Sequence, residues 1–310
     1  MQLEIMLFFQ RIQNPVLSFL ANLFSAFGEE SVMILILVAI YWCFDKKKGF
    51  AVFSSLFISM LTMQVLKAII KAPRPFQVHP DLIDADRIET ATGYSFPSGH
   101  STGSSAFYFS IALLYNNIWA RLGCILLVIA VPLSRLYLGV HWPADVLCGV
   151  IIGLGVSTFL LPVFIRLFDD KKRIRKIYLP LGSAIALISA SLAIALHLDK
   201  VDVTAFSDLM KLTSVFSTAS IGAALELSSS DYVPAKEKKN KILSFVIGII
   251  PIALIQATKT IMPDGIYYIW AFVRYALIGL FATYLVPKIL IKLDIVKKRS
   301  YYIDMFRDVI

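Results

Sequence analysis

Near-continuous apolar runs of roughly 17 to 25 residues recur along this chain between short polar breaks, and that repetition constrains the fold more than any motif does. A helix of this length covers the ~30 Å of hydrocarbon in a bilayer, whereas a soluble core is built from shorter segments that keep one polar face. Lipid offers no partner to an open backbone, so the runs must be helical. Hydrophobic residues make up 58% of the 310, a share outside the soluble range. The chain is therefore expected to be all-α, a polytopic membrane bundle of about nine transmembrane helices at 29–45, 49–70, 100–116, 122–138, 145–166, 178–198, 205–226, 242–262 and 266–287. Residues 1–28 hold Glu4 and lack a basic leader, which predicts an amphipathic helix in the outer interface in place of a cleaved signal.

The net charge of +9 raises the question of nucleic acid, and the placement of the charge answers it. Lys and Arg do not form one stripe; they cluster between apolar runs, in "DKKKG" (45–49), "DDKKRIRK" (169–176), "PAKEKKNK" (234–241) and the tail from Lys288. No nucleic-acid partner is expected, and the basic loops are predicted to be cytoplasmic. The C-terminus is then inside and the N-terminus outside. Cys43, Cys124 and Cys148 lie in or beside apolar runs without CxxC spacing, which argues against a disulfide framework or a zinc site.

This topology gathers Lys67, Arg74, Ser98, Gly99, His100, Arg135, His141 and Asp145 on the non-cytoplasmic side, at or near the ends of spans two to five. Ionisable groups at membrane depth are costly, and each is a functional hypothesis by default. A lone Lys67 would read as a snorkelling base, and a lone histidine as a structural hydrogen bonder. Three cations converging on two histidines imply an anion. The turn at Gly99, opening a helix, offers backbone N–H groups at the positive end of its dipole, a seat for phosphate. Arg74 and Arg135 can grip oxygens bidentately, and Lys67 adds a point charge. His141 precedes Pro143, which favours a helix start, so Asp145 is expected in that first turn, facing back toward the imidazole. A carboxylate on one ring nitrogen leaves the other as a lone pair for attack, and His100 can protonate a departing alkoxide.

Three stretches carry a resemblance: "KAIIKAPRP" (67–75), "PSGH" (97–100) and "SRLYLGVHWPAD" (134–145). In order and spacing they resemble the three signature motifs of the type-2 phosphatidic acid phosphatase superfamily, over about residues 29–166. The resemblance implies a metal-independent, cofactor-free phosphatase. His141 would be the nucleophile that forms a phosphohistidine, oriented by Asp145. His100 would be general acid and then base, while Lys67, Arg74, Ser98, Gly99 and Arg135 would hold the phosphoryl oxygens. The extra spans and the outside N-terminus are similar to the larger branch with glucose-6-phosphatase and the sphingosine-phosphate phosphatases, as is "GEESVMILILVAIYWCFDKKKGF" (28–50). The chain is thus expected to divide into an interfacial segment 1–28, a phosphatase core 29–166 and a C-terminal transmembrane extension 167–310.

The expected substrate is a lipid phosphate monoester or pyrophosphate of polyprenyl, phosphatidate or sphingoid type, because a site at span ends admits a headgroup while its tail stays in the bilayer. The expected location is a bacterial cytoplasmic membrane. A soluble sugar phosphate is the enzymatic alternative, and a phosphate or lipid transporter the alternative from another class. Anion binding alone, however, has no use for a His–Asp pair beside a second histidine. Arg274, near mid-span, is read as structural, and Asp81, Asp84, Asp86 and Glu89 as a solvated lid surface in preference to metal ligands.

Overall fold

A computed structural model describes residues 1–261 and 264–299. Apart from two antiparallel two-residue strands, Tyr232–Val233 and Lys297–Lys298, the regular structure described is helical. The chain divides into two compact units, one of residues 1–36, 51–164 and 204–208, the other of 37–50, 165–203 and 209 onward. Among the described residues six helices are long and apolar enough to cross a membrane, or seven if the bent pair Pro15–Phe27 and Glu30–Phe44 forms one span. The chain is an all-α integral membrane protein.

The first unit opens with α1 (Gln2–Arg11) and α2 (Pro15–Phe27). Asn14 caps α2 by accepting from the Leu17 N–H at 3.0 Å, and Pro15 takes the first helical position, where its missing N–H costs nothing. Residues 1–28, expected as one interfacial helix, are therefore two, and both bury side chains in protein. Met6 of α1 is 0% exposed among Ile83, Leu136 and Val146. Ser18 of α2 and the Asn14 backbone both meet the Tyr137 hydroxyl, at 3.1 and 3.0 Å, so α2 lies along α7 (Ile118–Tyr137). After a 51° bend, α3 (Glu30–Ala39) continues into a π-helical turn, Ile40–Phe44.

Next come α4 (Lys46–Ile70), the single turn α5 (Pro75–Val78), α6 (Gly99–Leu114) and α8 (Pro143–Asp169). Helices α6 and α8 approach closely because small residues line their contact, the usual solution where apolar burial cannot drive association in lipid. A Cβ on Gly153 would meet the Ala106 nitrogen at 2.7 Å and the Thr102 carbonyl at 2.8 Å, and one on Gly149 would meet the Ser98 carbonyl at 2.8 Å. Ser157 of α8 seals the seam by donating to the Ala106 carbonyl at 3.0 Å.

The second unit contains α9 (Lys171–His197), most of α10 (Val203–Ser229), α11 (Lys238–Ala257), α12 (Tyr267–Leu280) and α13 (Val286–Lys292). Its anchor is Trp42, fully buried under Gly248 and donating to the Ala282 carbonyl at 2.8 Å. Lys46, expected only as part of a cytoplasmic basic loop, is 4% exposed and pairs with Glu226 at 3.0 Å and Asp231 at 2.9 Å. Lys171 and Arg299 also reach Asp231. Arg274 is buried, with its Nε unpaired among the described residues.

Candidate active site

The loop between α7 and α8 delivers His141, and the start of α8 fixes its partner. Asp145 lies in the first turn of α8, where its Oδ2 accepts from the Trp142 N–H at 2.8 Å, one half of a capping box. The same oxygen accepts from the Ser95 hydroxyl and faces His141 Nδ1 at 3.3 Å. Arg74 lies on the other side of the ring, its Nη1 3.1 Å from Nε2. A guanidinium can only donate. Nε2 is therefore the acceptor, Nδ1 carries the proton, and it donates to Asp145. Burial, followed by the positive fields of Arg74, Lys67, Arg135 and His100, holds the His141 imidazole well below its usual range. The ring is neutral at pH 7, with its lone pair directed into a cluster of cations.

Each cation is held by neutral acceptors. Arg74 donates to the carbonyls of Thr92 (2.7 Å), Gly93 (3.2 Å) and Val140 (2.9 Å), and Lys67, in the last turn of α4, donates to the Tyr94 carbonyl. Consecutive carbonyls of loop 92–94 thus aim two cations. Arg135, in the last turn of α7 and 0% exposed, donates to the Ser25 hydroxyl and, at 3.4 Å, to Thr90 Oγ1, while its Nε is unpaired among the described residues. No carboxylate lies within ion-pair distance of these three cations among the described residues. An anion fits that shortfall.

Ser98 caps α6, its oxygen accepting from the Ser101 N–H at 3.4 Å, and its own N–H donates to the Asp145 carbonyl at 3.0 Å. This last bond joins the second and third motif stretches directly. His100, at the second helical position, is half-buried, with its Nε2 atom buried and unpaired among the described residues. Of the eight expected residues, Arg74, His141 and Asp145 form one hydrogen-bonded set and Ser98 joins it through the backbone, while the bonds of Lys67 and Arg135 go to the Tyr94 carbonyl and to the Ser25 and Thr90 hydroxyls. Gly99 opens the helix next to them.

Sequence reasoning missed Ser25, which meets Arg135; Ser95, which meets Asp145; and Thr90 and Thr92, which support the cations. It also missed Asp208 of α10, whose Oδ2 accepts from the Thr92 hydroxyl at 2.8 Å. Only Ser95 had a signal, as the residue three before the "SGH" turn. The acidic loop also proves partly structural: Asp86 accepts from Asn22 at 2.9 Å, and the Asp84 backbone exchanges two hydrogen bonds with Gln10.

A neutral imidazole, oriented by a carboxylate and with cations around it at the ends of apolar helices, is an arrangement suited to phosphoryl transfer at a membrane. A family profile described as the PAP2 superfamily matches residues 48–169, and a second, described as the transmembrane extension of a PAP2 superfamily phosphatase, matches residues 210–299. An undecaprenyl-diphosphatase of Sulfolobus acidocaldarius is 32% identical over 47% of this chain and 69% of its own length. A lipid A 4'-phosphatase of Porphyromonas gingivalis is 30% identical over 50% of this chain and 69% of its own. The crystal structure of Aquifex aeolicus LpxE aligns with a TM-score of 0.47 and 21% identity, over 52% of this chain and 94% of that one. The chain belongs to the PAP2 superfamily and is a membrane phosphatase.

Proposed function

We propose that the protein hydrolyses the phosphate monoester or pyrophosphate of a long-chain lipid, of polyprenyl type in the first instance, at the non-cytoplasmic face of a bacterial cytoplasmic membrane. The observation that carries the chemistry is the placement of His141 between Arg74 and Asp145, which leaves Nε2 as a lone pair beside a phosphate-seeking guanidinium. The lipid substrate is supported by the relatives named for undecaprenyl diphosphate and lipid A, and by a site at helix ends.

Lys67, Arg74, Arg135, the Ser98 hydroxyl and the N–H groups at Gly99 hold the phosphoryl oxygens. His141 Nε2 attacks phosphorus, the bond to the leaving oxygen breaks, and His100 hands that oxygen a proton. His100 then takes a proton from water as the water's oxygen attacks the phosphohistidine, releasing phosphate and restoring Nε2. Asp145 stabilises the cationic ring during transfer. The positive charge is supplied by side chains, so no metal or cofactor enters any step.

In the bilayer this reading places about nine spans. Residues 1–28 lie toward the outer interface, the phosphatase core occupies 29–166, and the transmembrane extension runs from 167. Phosphate release by purified protein from a long-chain polyprenyl pyrophosphate, a phosphatidate and glucose 6-phosphate, with and without EDTA, tests the reading. The expected result is a kcat/KM at least ~10²-fold higher for the long-chain substrates, the order given by several buried methylenes, and no effect of chelator. Equal efficiency on glucose 6-phosphate would replace the lipid with a soluble substrate. Binding without release would make the protein a carrier.

A further inference from the structure

Two contacts converge on the α2–α3 turn, taken as the last turn of α2 together with Gly28 and Glu29, a segment that precedes the matched core of residues 48–169. The first is polar: Ser25, 0% exposed, accepts from Arg135, also 0% exposed. A fully buried guanidinium with only hydroxyl partners on its Nη atoms depends on those hydroxyls for its direction. The second is steric. A Cβ on Gly28 would lie 3.0 Å from His100 Cδ2 and 2.6 Å from Val131 Cγ1, so the bare backbone of Gly28 abuts one side of the His100 ring. The same ring carries the buried, unpaired Nε2.

The turn is itself held from outside the site. Glu29 pairs with Arg87, Arg87 donates to the Asn22 carbonyl at 2.9 Å, and Asn22 donates to Asp86 at 2.9 Å. The Tyr108 hydroxyl of α6 donates to the Phe27 carbonyl at 2.8 Å. These ties join the turn to the loop that presents Thr90 to Arg135 and to the helix that begins beside His100.

We propose that the α2–α3 turn is a working part of the active site, in which Ser25 is a positioning residue for Arg135 and Gly28 a positioning residue for His100. This rests on the phosphatase reading above and extends it beyond the motif core. The two residues should fail in different ways. Ser25 acts through a phosphate-binding cation, so Ser25→Ala should raise KM and the vanadate Kd about tenfold, as expected for losing a hydrogen bond to a charged group, with kcat nearly held. Ser25→Thr, which keeps the hydroxyl, should recover most of that loss.

Gly28 acts through the proton donor, whose contribution depends on the leaving group. An alkoxide needs the proton, whereas p-nitrophenolate leaves without it. Gly28→Ala should therefore lower kcat on a long-chain alkyl phosphate by at least about tenfold and on p-nitrophenyl phosphate by less than about threefold. The double variant Gly28→Ala/Val131→Ala removes the clash with Val131 and retains the one with His100, so it should keep this leaving-group selectivity while regaining thermal stability. Equal losses on both substrates, or selectivity abolished in the double variant, would make Gly28 a packing residue and overturn its part. An unchanged vanadate Kd in Ser25→Ala would overturn the other. Absence of wild-type turnover on both substrates would sink the phosphatase reading, and this proposal with it.

Discussion

In the unit that holds the site, Lys67, Arg74 and Arg135 are buried yet meet only carbonyls, hydroxyls and an imidazole nitrogen. In the other unit Lys46 is as deeply buried and meets two carboxylates, and Asp231 collects Lys171 and Arg299 as well. The second arrangement is complete: Glu226 also accepts from the Tyr232 N–H at 2.7 Å, and the Tyr232 hydroxyl reaches the Tyr41 carbonyl at 2.6 Å. The first has positive charge in excess. Burying a charge is tolerable when an opposite charge and hydrogen bonds surround it. Where the opposite charge is missing, burial is retained for what the site will bind. Closed charge marks a strut, and open charge marks a site.

The contrast can be broken by finding activity effects in the strut or stability effects in the site. The largest effect is expected at His141, the proposed nucleophile. His141→Ala should lower turnover by at least ~10⁴-fold, the scale on which catalytic nucleophiles fail, with the thermal unfolding temperature unchanged or raised. A variant that lost fold together with activity would make His141 structural.

Lys46→Met should do the reverse. Removing one partner of a buried pair strands Glu226, while Asp231 keeps Lys171 and Arg299, and costs about 3–5 kcal/mol. Unfolding in detergent should show that loss, while kcat/KM per folded molecule stays at the wild-type value. A specific drop in kcat/KM without destabilisation would erase the distinction between strut and site.

Much of the first cluster was legible in the sequence because its residues occur in tight local patterns: Asp145 four places after His141, and Ser98 and Gly99 immediately before His100. Local spacing on a helix start fixes geometry. Ser25, Gly28 and Asp208 were not legible, since each meets its partner across tens to more than a hundred residues. Such contacts depend on how whole helices are rotated against one another, and a serine in an apolar run carries no mark of it. The burial of Lys46 was not legible for a related reason. Positive-inside reasoning reads a basic cluster as solvated, and nothing near Lys46 in sequence announces Glu226, 180 residues away. That several apolar helices span the membrane was visible in the hydropathy along the chain, but hydropathy could not tell that residues 1–28 are two helices that bury Met6, Ala21 and Ser25.

A pH profile sharpens the comparison at the level of a single proton. His141 is held low first by burial and next by the Arg74 charge. A lowered value keeps Nε2 free at pH values where an ordinary imidazole is already protonated, and kcat/KM falls only as the pH drops through that lowered value. Arg74→Gln removes the repulsion and leaves the burial, so the acid limb of its residual activity should move upward yet stay below about 6.5. An unmoved limb would mean that Arg74 does not act on His141 through its charge.

The smallest effect is expected at Asp208, in the first turns of α10 that belong to the same unit as the site. Asp208 accepts from the Thr92 hydroxyl, the Thr92 carbonyl accepts from Arg74, and Arg74 meets His141 Nε2, so the carboxylate stands three links from the His141 ring. The Thr92–Asp208 bond is exposed, however, and exposed polar contacts are worth about 0.2–1 kcal/mol. Asp208→Ala should therefore cost no more than about fivefold in kcat/KM, and Asp208→Asn, which still offers Thr92 an acceptor, should cost less. Thr92→Val should match Asp208→Ala, and the double variant should be no worse than either, because both remove the same bond. Additive losses would show that Asp208 reaches the cations by a route other than Thr92. A loss beyond about 10²-fold in Asp208→Ala would move the boundary of the site itself, making an acid of the C-terminal helices part of the open charge instead of a support for it.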